Sequence, residues 1–185
     1  MRAREREKTL SEAFTMNRLV FFLLMLVALP LGAQSAGLDV GIALFNARRW
    51  SEAQVSFAAV AKAQPKSADA ASWMGRTLMA ENNPGDAEDW FDKASQLEPR
   101  NSDYQLWLAR AIGMQALRAN ILRQPFLARR IKAAVDKSIA LDPANIDARE
   151  MRWQFYWMAP GFMGGGHDKA REEAADIMRR NRYRG

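Results

Sequence analysis

Three consecutive glycines, Gly164, Gly165 and Gly166, stand directly before His167, the only histidine of the 185-residue chain, and Asp168. Residues of these types in this order suit two kinds of chemistry. A glycine run opening onto a helix can hold an anion with its backbone N–H groups. A histidine beside an aspartate can begin a metal site. Three or four ligands are needed for that, and no second histidine exists to join this pair, so no metal is expected. A phosphate loop needs a preceding strand and a Lys-Ser/Thr tail, whereas the segment before these glycines reads as helical and aromatic-rich. An anion cradle and a plain corner between helices remain. In the corner, the glycines supply positive φ, Asp168 caps the next helix, and Pro160, Phe162 and Met163 fold back over the domain end or meet a partner.

The rest of the chain offers little to a reaction. Cysteine is absent, which excludes disulfides, thiolate metal sites and thiol nucleophiles. His167 has no recognisable serine partner. Paired carboxylates in "EDWFD" and "REEAADI" lie on amphipathic helices, where they form a solvated face. No enzyme and no cofactor are expected.

The strongest signal is an internal repeat. Gly41 recurs as Gly75, Leu44 as Leu78, Ala53 as Ala87, Phe57 as Phe91 and Pro65 as Pro99, each 34 residues on. Small residues suit a helix crossing, phenylalanine fills the space between helix pairs, and proline follows a helix end. Apolar residues fall three and four apart within each unit, giving two short amphipathic helices. Their turns are expected at Arg49-Trp50-Ser51 and Asn82-Asn83-Pro84-Gly85, with Ser51 and Asp86 as N-caps.

These residues resemble the tetratricopeptide repeat (TPR), with its small residue and leucine on the first helix and A-x-x-x-F…P on the second. The usual first-helix tryptophan is absent. Ala71 and Gln105 occupy its place, and Trp73 and Trp107 lie two residues further on. The resemblance implies an all-α, TPR-like α-solenoid of three to four helix hairpins with an N-terminal signal peptide. The Gly-rich turn is similar to one closing the last repeat of small exported bacterial members, which names no activity.

The units are expected at 37–66, 67–101, 102–145 and 146–185. Pro99 to Pro143 is 44 residues, ten more than the repeat. The surplus falls around Leu117 to Phe126, with Pro125 in a first turn and Phe126, Ile131, Val135 and Ile139 on a buried stripe. Both helices of the third hairpin should therefore be longer and its arginine-rich tip should protrude. The fourth unit is divergent: its Gly-rich turn carries five extra residues and a basic tail follows.

Stacked hairpins form a concave groove, and the resemblance implies that first helices line it. The groove candidates are Phe45, Ser72, Arg76, Met79, Leu106, Arg110, Met114, Gln154 and Trp157, with Ile42, Gly113 and Glu150 beside them. Arg76 and Arg110, again 34 apart, should stand on one side of neighbouring helices and suit a peptide with acidic and apolar side chains. Some family members clamp a partner's terminal carboxylate with lysine and asparagine. Ile42, Arg76, Arg110 and Gln154 stand where those asparagines would be, so that clamp is not reproduced.

At the other end, Arg18 precedes an uncharged apolar run, residues 19–31. As a helix, this run would span roughly 20 Å, short of a ~30 Å hydrocarbon core. With Ala33-Gln34-Ser35 behind it, residues 1–35 read as a cleavable export signal with a polar lead, with Met16 as an alternative start. The expected location is periplasmic, the alternative an inner-membrane anchor formed by residues 19–31. Without residues 1–35 the net charge is +4, too weak to argue for nucleic acid. Two basic clusters, Arg118/Arg123/Arg129/Arg130/Lys132 and Arg179/Arg180/Arg182/Arg184, serve as solvated helix ends or meet an anionic membrane surface or an acidic partner. The expected function is an adaptor for a protein or peptide partner. The rivals are a small anionic-ligand protein or enzyme at Gly164–Asp168, and a membrane-anchored TPR subunit.

Overall fold

The structure, a computed structural model, describes residues 31–180, with side chains from residue 36. Its elements are α1 (Leu31–Asn46), α2 (Trp50–Ala63), α3 (Ala68–Ala80), α4 (Pro84–Leu97), α5 (Ser102–Arg118), α6 (Gln124–Leu141), α7 (Ile146–Met158), a 3₁₀ turn (Gly161–Met163) and α8 (His167–Arg180). No strand occurs among the described residues. The chain divides after Gly37 into two units, and the second, Leu38–Gly185, holds α2 to α8. Residues 1–30 of the expected export signal lie outside the described residues, as do Arg182 and Arg184 of the basic tail. No described helix is long and apolar enough to cross a membrane.

The helix starts repeat for a local reason. Pro65, Pro99 and Pro143 each stand two residues past a helix end, and the residue two further on caps the next helix. The side chains of Ser67, Asn101 and Asn145 accept from the N–H groups of Ala70, Asp103 and Ala148. Asp69, Asp103 and Asp147 follow in the first turns, where the helix dipole favours a carboxylate. Each such cap contributes about 1 kcal/mol. The second helices differ. Ser51 and Asp86 lie inside first turns, so neither is the N-cap the sequence suggests. Arg49 precedes α2 without a side-chain cap, and Asn83 caps α4 by accepting from the Asp86 N–H. The turns before these helices pass through left-handed backbone at Arg48 (φ 58°) and Asn82 (φ 65°), again 34 residues apart.

Consecutive helices pack on each other, and first helices also touch: α3 with α5, and α5 with α7. This places the first helices along one side of the stack. The core forms four clusters along it, bridged by half-buried Trp90 and Leu108, with Ala53, Phe57, Ala87, Phe91, Ala94 and Ala109 fully buried. Gly41 and Gly75 give way to the two phenylalanines. A Cβ on Gly75 would lie 2.7 Å from the Phe91 ring, and one on Gly41 would collide with Phe57.

The long hairpin accounts for the ten extra residues. α5 has 17 residues against 13 in α3, and α6 has 18 against 14 in α4. The loop between them takes the other two. Four residues of helix add roughly 6 Å, leaving the tip uncovered. Phe126, expected on the buried stripe, is therefore 62% exposed, and Leu127 takes the buried place.

The last pair is held differently from the others. Only Ala170 and Glu173 of α8 are buried. Arg149, itself 7% exposed, reaches Glu173 at 3.4 Å and Asp176 at 2.6 Å, and Arg152 reaches Glu173 at 2.7 Å. An ion network thus takes the place of the phenylalanine plug. At corresponding positions the size order is inverted, with Trp153 on the first helix and Ala174 on the second.

Candidate functional site

The side lined by first helices carries two arrangements that share Arg110. The first is a ladder of rings and guanidiniums. Trp73 and Trp107 stack on Phe57 and Phe91, each pair 5.7 Å apart between centroids. The Arg76 guanidinium lies 4.6 Å from both indoles, and that of Arg110 lies 4.7 Å from Trp107. Arg110 then reaches Asp147 at 3.3 Å. A cation over an indole gains about 0.5–2 kcal/mol, more as water is excluded. Burial pulls the Arg76 guanidinium below its ordinary range, opposed by Asp103, Tyr104 and Asp69. Its Nε has no hydrogen-bond partner. The Tyr104 hydroxyl donates to Asp69 at 2.7 Å, and burial followed by that bond pushes the phenol's pKa up. Arg76 and Arg110 are therefore clasped around one indole. They do not form two open guanidiniums.

The second arrangement is a cavity of about 640 Å³ between α5, α6, α7 and the Gly-rich loop. Met79, Met114, Met151, Met158 and Met163 line it, five of the ten methionines of the chain. Methionine adapts its unbranched side chain to varied shapes, as binding surfaces require. Arg110, Asp147 and Glu150 supply its charged groups, and Pro160 and Met163 close one end. The volume is within the range of ligand pockets.

Of the groove candidates, the cavity collects Met79, Arg110, Met114 and Gln154, with Gly113 and Glu150. Ser72 and Leu106 are each 2% exposed, so neither offers surface to a partner. Phe45 packs edge-on against Trp73 at 5.4 Å, outside the cavity. Trp157 points elsewhere: half exposed, it stacks on His167 at 4.6 Å and on Trp153 at 6.3 Å. Met158, one residue later, lines the cavity instead. The inward stripe of α7 runs at 150, 154 and 158, so a step of four was needed where the sequence reading took three. Met151 and Met158 were missed for this reason. A count of methionines by helix face would have found them.

The glycine loop is a structural corner. Gly164 (φ 94°) and Gly166 (φ 137°) need left-handed backbone. The three glycine N–H groups donate to the carbonyls of Gly161, Pro160 and Tyr156, at 2.9, 3.2 and 2.8 Å. A cradle needs those groups free, so the anion-binding alternative loses its donors. Asp168 does not cap α8. It is the second residue of the helix, exposed, and paired with Arg171 at 2.9 Å. Phe162 is 81% exposed, while Met163 packs on the core. A Cβ on Gly165 would overlap the Ala159 carbonyl oxygen. Gly165→Ala is therefore expected to cost about 1–3 kcal/mol and to displace Met163 from the cavity wall. Thermal melting and fluorescence of the tryptophans would report both effects.

The comparisons agree with this geometry. A family model described as tetratricopeptide repeat matches residues 44–111. No curated protein matches in sequence. Among solved structures, the chain is similar to a thermophilic TPR protein of Thermus thermophilus, with a TM-score of 0.67 and 18% identity, covering 78% of this chain and 73% of that one. It is also similar to MamA of Desulfovibrio magneticus, with a TM-score of 0.65 and 18% identity over 82% and 77% of the two chains. A third relative in fold is YrrB, described as a TPR protein with an unusual peptide-binding site, with a TM-score of 0.59 and 16% identity over 78% and 67%. At these identities the likeness is one of fold. Over residues 44–111 the chain matches the tetratricopeptide-repeat family model, and its repeat spacing and helix pairing are those of that fold.

Proposed function

We propose that this chain is an exported adaptor of the cell envelope that binds a peptide or protein partner along its first-helix side and performs no chemistry on it. The supporting observation is the methionine-lined cavity, with Arg110, Asp147 and Glu150 beside it. Its natural occupant is a large apolar side chain of an extended segment, with the polar groups fixing the flanking backbone. Because Arg76 is held between two indoles, Arg110 is the one cation among the described residues lining the cavity, and an acidic partner residue would have to share it with Asp147. Export rests on residues 1–35, and an anchor formed by residues 19–31 would keep the same module at the inner membrane.

A photo-crosslinking residue at Gln154, in the cavity, tests the binding face against one at Val55, 72% exposed on α2. The expected result is a discrete partner adduct from position 154 and none from 55. In Met114→Glu, with helicity unchanged, that adduct should fall at least about tenfold, the effect of losing a buried anchor contact. Equal adducts from both positions would reject the groove. N-terminal sequencing of the envelope form separates a cleaved signal from a retained anchor.

A further inference from the structure

The tip of the long hairpin gathers four exposed apolar side chains within ten residues. Leu117, Ile121, Leu122 and Phe126 are 73%, 77%, 87% and 62% exposed, although the fold buries residues of this type elsewhere. Between Asp103 and Asp136 the sequence has no carboxylate but six cations, Arg110, Arg118, Arg123, Arg129, Arg130 and Lys132. Arg118 reaches back to Asn82, Arg130 pairs with Glu88, and Lys132 pairs with Asp136. Arg123 and Arg129 have no carboxylate partner among the described residues.

Four apolar side chains at a projecting tip, flanked by two guanidiniums without a carboxylate partner, match one chemistry above others. A protein partner would need a complementary pocket for each side chain. A bilayer interface accepts scattered apolar groups of any shape while its anionic headgroups meet the arginines. We infer that the α5–α6 tip docks on an anionic lipid surface, with Ile121, Leu122 and Phe126 entering the interface and Arg123 and Arg129 contacting headgroups. Docked there, the protein would hold the neighbouring methionine cavity, whose wall includes Leu117 and Gln124, close to the membrane plane. This inference does not depend on what occupies that cavity.

The absence of cysteine makes a local test possible in the full chain. An environment-sensitive fluorophore on Leu122→Cys reads the tip itself, whatever residues 19–31 do. With vesicles of phosphatidylcholine containing phosphatidylglycerol, its emission should shift to the blue. With phosphatidylcholine alone it should not, and high salt should reverse the shift. The same label on Val55→Cys should stay unchanged. Arg123→Glu with Arg129→Glu should weaken the vesicle concentration dependence of the Leu122→Cys shift by at least about tenfold. A tip label that stays in water while the protein sediments with vesicles would overturn the inference, as would a shift indifferent to lipid charge or to the arginine pair. So would a label moved only by an acidic protein.

Discussion

Phe91→Ala is expected to cost about 3–5 kcal/mol, because the ring is fully buried and the gap it leaves cannot close. The gap would be bordered by Gly75 on one side and Trp107 on the other, and neither can fill it. The loss would also reach the proposed binding face. Trp107 stacks on Phe91 and carries Arg76 and Arg110, so removing the phenyl ring frees the indole that both guanidiniums use. The third hairpin suggests how to separate packing from mere hydrophobicity. At the positions equivalent to Gly75 and Phe91 it has Ala109 and Val135, both buried in one cluster. The small residue gains a methyl group where the large one shrinks. Gly75→Ala alone should destabilise by about 1–3 kcal/mol, since its Cβ would press on a ring that cannot move. Combined with Phe91→Val it should cost clearly less than the two changes added, with a favourable coupling of about 0.5–3 kcal/mol. Denaturant melts of the four variants measure this, and strict additivity would show that the two sites do not share one volume.

Glu173→Ala should be comparably damaging for the opposite physical reason. Arg149 is buried, and Glu173, only 8% exposed in its side chain, joins Arg149 and Arg152. Removing Glu173 leaves buried Arg149 with Asp176 alone and Arg152 with the more distant Asp136, and the lost charge-assisted bonds cost about 3 kcal/mol. In a domain of this size that lowers Tm by about 6–12 °C. Replacing both partners, Arg149→Met with Glu173→Leu, should recover most of the loss, because the desolvation cost disappears with the charges. Arg152 would keep Asp136, and Asp176 would keep Arg179 and Arg180. Acid should loosen the same pair of helices. The hydrogen bond from Arg180, helped by Arg179 and Arg149, holds the Asp176 carboxyl below the usual aspartate range. Its stabilisation is therefore complete above about pH 4, the ordinary aspartate value. It is lost as pH falls through the lowered value. Circular dichroism melts across that window should show the loss in wild type and not in Asp176→Asn.

Several of these features could be read before any coordinates. Spacing alone identified paired helices, the prolines between them, and the third hairpin as the place of the ten extra residues; it divided them as about five per helix, where the structure has four per helix and two in the loop. The helix pairs were legible because a repeat displays its packing constraints more than once: Gly75 opposite Phe91 restates Gly41 opposite Phe57. Caps were misplaced by two and three residues because Ser51 and Asp86 have the right chemistry, and only the turn geometry at Arg48 and Asn82 decides where a helix begins.

The sequence by itself determined the helical class, the hairpin unit and its 34-residue period, because each follows from local periodicity and residue size. Only the tertiary structure decided between anion cradle and corner at the glycines, and what the proposed binding face consists of. Arg76 and Arg110 were visible as a pair, but their capture by Trp107 depends on how adjacent hairpins stack. The methionine cavity joins residues from four helices and a loop, and α7 contributes Met158 and not Trp157 because a rotation of about 100° per residue turns one inward and its neighbour away. Long-range stacking angle and helix rotation are collective properties of the packed chain, and no single segment encodes them.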